Sequence, residues 1–182
     1  MVVDLSCRLN EAEVIKLKAE NESLRRLLGA NLPASWQFIP AKILSLKNDQ
    51  LTINVGSKDG IGPGMNVLLL AEGNQGILIG RIERAEPYLA KVSLISGAKV
   101  KTESGASGEI TGLQLIKVEQ KYRLNQGDLI ISEGGNGWLP DLLVGRVGKV
   151  DNVPTAVYQS AAVEPLVELE NIAPVFVVKL PL

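Results

Sequence analysis

The sequence predicts a mainly β protein, with an N-terminal coiled-coil α-helix followed by two small β-barrel-like domains. Three observations favour this class: a heptad pattern over the first 28 residues, short alternating strands after Pro40, and a repeat of glycine positions within the β region. Of the 182 residues, 46% are hydrophobic but only 4% are aromatic, so the core must consist of aliphatic residues that favour strands. We divide the chain into a helix (1–29), a linker (30–40), and β domains at 41–99 and 100–182, whose C-terminal strands are allowed to return to the first domain.

The heptad seam advances in alternating steps of four and three residues, with charged and helix-forming residues between its members. Its members are Val3, Cys7, Asn10, Val14, Leu17, Asn21, Leu24 and Leu28. Gly29 ends the pattern, and Pro33 follows. A single amphipathic helix packed on its own domain is the alternative. Asn10 and Asn21 favour pairing instead, because a buried Asn costs stability but fixes register and helix number between chains. We therefore predict a parallel homodimer with these eight residues at its interface.

After the linker, short runs of aliphatic and β-branched residues alternate with Gly, Asn and Pro. These predicted strands lie at 43–46, 51–55, 67–70, 76–79, 92–95, 113–118, 129–131, 143–144, 146–147 and 175–178. The two halves also share spaced positions, namely Gly64 with Gly127, Gly80 with Gly145, and Val92 with Val157. The repeat predicts two β units of like topology, with common strands beginning near Val67 and Ile130. Closed barrels would remove exposed strand edges. Chance similarity between glycine-rich strands is the alternative.

The composition excludes most catalytic chemistry. The chain has no histidine and one cysteine, so it cannot assemble a Ser-His-Asp or Cys-His arrangement, nor a metal site made of His or several thiolates. Carboxylate pairs such as Glu83 with Glu86 fit scattered surface charge. We predict no enzymatic activity, no cofactor and no metal. The net charge of -1 gives no general attraction to nucleic acid.

Two glycine-rich segments require separate interpretations. Residues 56–64 lack the Gly-Lys-Ser/Thr ending of a phosphate-binding loop and precede a predicted strand, so they are predicted to be a turn. Residues 133–140 are predicted to form a long flexible loop that carries one aromatic residue. This segment is a candidate partner-contact loop, or else Trp138 folds back as a lid on the barrel, and the sequence leaves both open. The candidate contact residues are Gly134, Gly135, Trp138, Leu139 and Pro140.

Three segments read AENESLRRLL at 19–28, VGSKDGIGPGMNV at 55–67 and LPDLLVGRV at 139–147. In this order they resemble the MreC family of rod-shape-determining proteins. The resemblance covers nearly the whole chain. Two residues depart from the family's pattern: Glu133 stands between Ser132 and the glycines, and Asp141 stands where a glycine after the proline is common.

The resemblance implies a non-enzymatic scaffold of the bacterial cell-elongation machinery, involved in cell shape and peptidoglycan synthesis. The implied partners are a penicillin-binding transpeptidase and other membrane proteins of the elongation complex. The implied location is extracytoplasmic, on the periplasmic or cell-wall side, with the full-length protein tethered to the inner membrane by an anchor absent from this chain.

Two other classes of protein are alternatives to the scaffold. A periplasmic adaptor subunit of an efflux or secretion system also joins coiled coils to β domains, but it needs a helical hairpin, and only one helix is predicted here. A hydrolase with a Ser-Lys pair, built on Ser132 or Ser57, would react with a serine-directed reagent, whereas a scaffold would not.

Overall fold

The fold is mainly β, and the computed structural model describes residues 11, 13–17, 32–70, 75–169 and 174–181. Residues 11 and 13–17 are helical, and Ser57–Asp59 form a short 3₁₀ helix. The strands are β1 (Gln37–Ala41), β2 (Ile43–Lys47), β3 (Gln50–Ile53), β4 (Asn66–Leu70), β5 (Gly76–Ala85), β6 (Ala90–Leu94), β7 (Ala98–Thr102), β8 (Ser107–Thr111), β9 (Gln114–Glu119), β10 (Leu129–Gly135), β11 (Trp138–Asp151), β12 (Tyr158–Glu164) and β13 (Val175–Lys179).

The first barrel is closed by antiparallel pairing. Strands β1 and β2 follow each other with only Lys42 between them, β1 pairs with β13, and β2 pairs with β3. From β3 the pairing continues through β6, β5 and β4 back to β13. Inside lies an aliphatic cluster that includes the fully buried Leu51, Ile53 and Val67. With β1 and β2 counted as one interrupted strand, this is a six-stranded barrel.

The second barrel is closed in the same way by β7, β8, β9, β12, β11 and β10. Its interior cluster includes Val100, Ile110 and Leu115. Around each barrel the order corresponds: β4, β5, β6 and β3 take the places of β10, β11, β12 and β9. Strand β13 takes the place of β7, although it follows all the strands of the second barrel in sequence. The division into domains at 41–99 and 100–182 stays a prediction.

The glycine repeat has a structural counterpart in both barrels. Val67 lies opposite Gly80, and Ile130 lies opposite Gly145. In each ladder the register shifts by one residue at the next pair, so both barrels have a β-bulge at the same place. The two halves therefore share a detail that alternating apolar strands alone do not produce.

The turns before β4 and β10 also correspond. The backbone amide of Gly64 donates a hydrogen bond to Ile82 O at 2.8 Å, and that of Gly127 donates to Val147 O at 2.7 Å. Both glycines have a positive φ, 88° and 94°, which residues with a side chain rarely adopt.

The predicted match of Val92 with Val157 in the sequence repeat is wrong. Val92 lies opposite Ile82, and the residue in the equivalent position opposite Val147 is Val163. Val157 instead lies in the exposed turn before β12, because the connection after β11 is longer than the one after β5.

The large aromatic side chains lie where the two barrels meet. Both tryptophans and both phenylalanines of the chain, Trp36, Phe38, Trp138 and Phe176, belong to one buried cluster with residues of both barrels. Strands β5 and β11 also meet there through a parallel bridge. The predicted linker at 30–40 is wrong from residue 37 onward, because this part of the segment forms β1, with Phe38 buried and Pro40 paired to β13.

Candidate interaction surfaces

The candidate contact segment is a tight β-hairpin, so the predicted long loop is wrong. Gly135 pairs with Trp138, leaving only Asn136 and Gly137 in the turn. Their φ values of 53° and 83° fit the type I′ turn, which Asn-Gly favours because both central residues need positive φ. This local signal outweighs the flexibility suggested by the run of glycines.

Trp138 folds onto the first barrel and is buried there. Its ring lies 4.8 Å from Cζ of Arg81, close enough for a cation–π interaction. Leu139 is also buried, so neither side chain offers surface to a partner. Contact through the remaining members stays a prediction; Gly135 and Pro140 are exposed and Gly134 is half-buried.

Hydrogen bonds fix the tip of this hairpin to the first barrel. Asn66 Nδ2 donates to Gly137 O at 2.8 Å, and Leu139 N donates to Asn66 Oδ1 at 3.3 Å. Arg81 Nη1 donates to Asn136 O at 3.1 Å. Asn66 is buried, so these bonds prevent the cost of an unsatisfied amide. The hairpin therefore clamps one barrel to the other.

Ser132 and Asp141 shape the base of the hairpin. The fully buried Ser132 hydroxyl donates to Leu139 O at 2.7 Å and accepts from Leu142 N at 3.1 Å. Its role is structural, since it satisfies backbone groups beside a bulge in the β10–β11 ladder. Asp141 has a φ of 59°. A glycine would adopt that conformation without strain, which gives a physical reason for the glycine expected at this position.

The heptad seam is described at two of its eight members. Val14 and Leu17 are helical and about half exposed. The other six lie outside the described residues, namely Val3, Cys7, Asn10, Asn21, Leu24 and Leu28. The coiled coil and the dimer interface therefore stay predictions.

Exposed apolar side chains concentrate at two equivalent turns, which we call the paired tips. The β5–β6 turn carries Tyr88 and Leu89, and the β11–β12 turn and the start of β12 carry Val153, Val157 and Tyr158. Strands β5 and β11 run parallel at the bridge between Ile77 and Leu143, and each continues for eight residues beyond it. The two strands therefore leave the bridge in the same direction. The local sequences of the paired tips resemble those of ordinary turns between strands, so they carry no signal of a contact surface.

A lysine lies on an aromatic ring at the first tip and again beside the second. Lys58 Nζ lies 4.4 Å from the centre of the Tyr88 ring and donates a hydrogen bond to its hydroxyl. In the β9–β10 connection beside the second tip, Lys121 Nζ lies 5.0 Å from the centre of the Tyr122 ring and 2.6 Å from Glu119 Oε2. The hydrogen bond and the charge of Glu119 raise the pKa of Lys121.

Within the described ranges, no helix is long and apolar enough to cross a membrane. Among those same residues, no group of three or more acidic or cysteine side chains is placed to hold a metal ion.

Comparisons with known proteins converge on one family. Residues 41–179 match the family model described as rod shape-determining protein MreC, barrel core. The cell shape-determining protein MreC of Listeria monocytogenes is 26% identical over 190 residues, which cover 93% of this chain and 63% of that protein. The present chain therefore spans just under two thirds of that relative's length.

Solved structures agree on the fold. An MreC structure from Listeria monocytogenes matches with a TM-score of 0.67 and 25% identity, covering 97% of this chain and 91% of that one. MreC of Helicobacter pylori, solved in a complex with penicillin-binding protein PBP2, matches with a TM-score of 0.61 and 15% identity, covering 80% and 98%. At that identity the second match shows the fold alone.

Proposed function

This chain belongs to the MreC family of rod shape-determining proteins, and from that premise we propose that it is a non-enzymatic scaffold of the bacterial cell-elongation machinery. It acts in cell shape and peptidoglycan synthesis through protein–protein contacts, on the extracytoplasmic side of a membrane to which the full-length protein is tethered. The observation that carries the proposal is a pair of barrels held together by the aromatic cluster and the hairpin, each of which exposes an apolar tip.

The non-enzymatic part of the proposal is supported by residue chemistry. The chain has no histidine, and Ser132, the serine considered for a Ser-Lys hydrolase, is buried and bonded to backbone groups. The family match also disfavours the periplasmic adaptor considered as an alternative.

For the partner, we propose a penicillin-binding transpeptidase, together with other membrane proteins of the elongation complex. Support comes from the Helicobacter pylori relative, which was solved in a complex with PBP2. We place the contact on the paired tips, because each exposes a tyrosine, one of the side chains that most often dominate the binding energy of protein interfaces.

Replacing Tyr88 and Tyr158 together with serine is expected to weaken binding to the transpeptidase of the same organism by about tenfold or more. The reason is that one buried hot-spot tyrosine contributes about 2 kcal/mol, or about thirtyfold in affinity, so the loss exceeds tenfold even if only one of the two is a hot spot. Biolayer interferometry with the extracytoplasmic part of the transpeptidase measures the change. The control is Leu113→Ser, since Leu113 is 64% exposed but lies at the opposite end of the second barrel. If the control variant lost as much affinity as the double variant, or if the double variant lost none, the tips would not be the contact with the transpeptidase.

We also propose that the chain forms a homodimer through the heptad seam. Each buried apolar seam residue contributes about 1.5 to 3 kcal/mol before the entropy of association is subtracted, so a weak dimer is expected. Replacing both Leu17 and Leu24 with lysine should leave a monomer in sedimentation experiments. Ile15→Lys is the matched control, because Ile15 is exposed but off the seam. If the wild type sediments as a monomer at high concentration, the helix does not pair.

A further inference from the structure

A polar groove lies at the tip end of the second barrel, beside Tyr158. It has a volume of about 390 Å³ and is lined by residues 120–124 together with Val150, Asn152 and Gln159. The groove is tied to the neighbouring tip, since Gln120 Nε2 donates to Val153 O at 3.2 Å. Its lining combines amides, an aromatic ring, two cations and the aliphatic side chains of Leu124 and Val150.

Gln159 presents an unused acceptor in this groove. The residue is only 4% exposed, and its Nε2 donates to Glu119 O at 3.2 Å and to Tyr122 O at 2.5 Å. Both neighbours are carbonyl oxygens, which only accept hydrogen bonds, so the amide nitrogen must face them. The amide oxygen Oε1 is therefore directed away from these two carbonyls. No hydrogen bond to Oε1 is found among the described residues. Buried acceptors normally have a partner, so a bound N–H or O–H group would complete this site.

The charges of the groove favour an anion. Among the described residues that line it, only Lys121 and Arg123 are charged, and both are cationic. Lys121 already pairs with Glu119, but both side chains are more than half exposed, and such a pair contributes little. The Arg123 guanidinium forms no ion pair with any described residue. A carboxylate can therefore bind Arg123 in the two-pronged geometry that guanidinium groups favour.

We propose that this groove binds an extended peptide segment that carries a carboxylate. The carboxylate pairs with Arg123, a backbone N–H donates to Gln159 Oε1, and an apolar side chain packs on Val150, which lines the groove. Amide and cationic groups beside the aliphatic side chains of Leu124 and Val150 match the donors, acceptors and side chains of a peptide. The inference rests on the geometry of the second barrel and is independent of the scaffold function and of the tip contact proposed above.

The test is a titration of the whole ¹⁵N-labelled chain, followed by the backbone amide signals of 120–124 and 150–159. The first probe is an acetylated pentapeptide amide with two glutamates around a central leucine. The second is the same peptide with glutamines, and the third is a tetramer of N-acetylglucosamine. The glutamate peptide should shift these signals, and the glutamine peptide should bind about tenfold more weakly or worse, because a charge-assisted hydrogen bond is lost.

Arg123→Gln should weaken binding of the glutamate peptide by a similar factor, and Arg123→Lys should restore part of it. Arg84→Gln is the matched control, because Arg84 is an exposed arginine of the first barrel, and it should bind like the wild type. Equal binding of both peptides would overturn the assignment of Arg123. If the sugar shifts the same signals and binds more tightly than the peptides, the groove is a glycan site instead. If none of the three probes shifts these signals, the groove is not a binding site.

Discussion

Replacing Gly80 with alanine is expected to lower the free energy of unfolding by about 3 kcal/mol or more. A Cβ atom on Gly80 would lie 2.1 Å from Ser93 O and 3.2 Å from Leu94 Cα. Both neighbours are backbone atoms of β6, so they cannot rotate away as a side chain would. Strands β5 and β6 would have to separate, which breaks the pairing that closes the first barrel. Urea unfolding followed by circular dichroism measures the change.

Gly62→Ala is the control for the Gly80 experiment. The nearest atom to a Cβ on Gly62 is Met65 Cε at 3.9 Å, an ordinary contact with a flexible side chain. Its free energy of unfolding should stay within about 0.5 kcal/mol of the wild type. Similar midpoints for the two variants would show that the β5–β6 spacing adjusts at little cost.

Replacing Trp138 with alanine should lower the free energy of unfolding by about 3 to 5 kcal/mol. The substitution removes the largest side chain contributed by the second barrel to the aromatic cluster, and with it the contact to Arg81. Chemical denaturation monitored by circular dichroism measures the loss.

The control for this second experiment is Tyr158→Ala. Tyr158 is 54% exposed, so its loss should change stability by less than about 1 kcal/mol. If both aromatic substitutions had the same small effect, the aromatic cluster would not be what holds the barrels together.

The sequence predicted the strands that are short apolar runs but missed those that only alternate. Strand β7 reads AKVKT, with buried Ala98, Val100 and Thr102 separated by two lysines that face outward. Its hydrophobic content is low, although its period of two is regular. Strand β8 is more polar still. Strand β1 was not predicted because Pro33 and Pro40 suggested a linker. These strands form because the rest of each barrel supplies their partners.

The site was less predictable than the fold, because its contacts join distant parts of the chain. Asn66 and Gly137 are 71 residues apart in sequence, and neither shows locally that it will meet the other. The Asn-Gly pair at 136–137 did carry a hairpin signal, but the surrounding glycines favoured a loop. Burial of Trp138 depends on the position of the first barrel, which no local pattern encodes.

The place of β13 in the first barrel has a consequence for biosynthesis. The second barrel is built from consecutive strands and can close as soon as β12 leaves the ribosome. The first barrel cannot, because β13, which inserts between β1 and β4, is made only after the whole second barrel. Contacts between residues so far apart in sequence are slow to form. A nascent chain that stalls before Val175 would hold one finished barrel and one with two open strand edges, which invite aggregation.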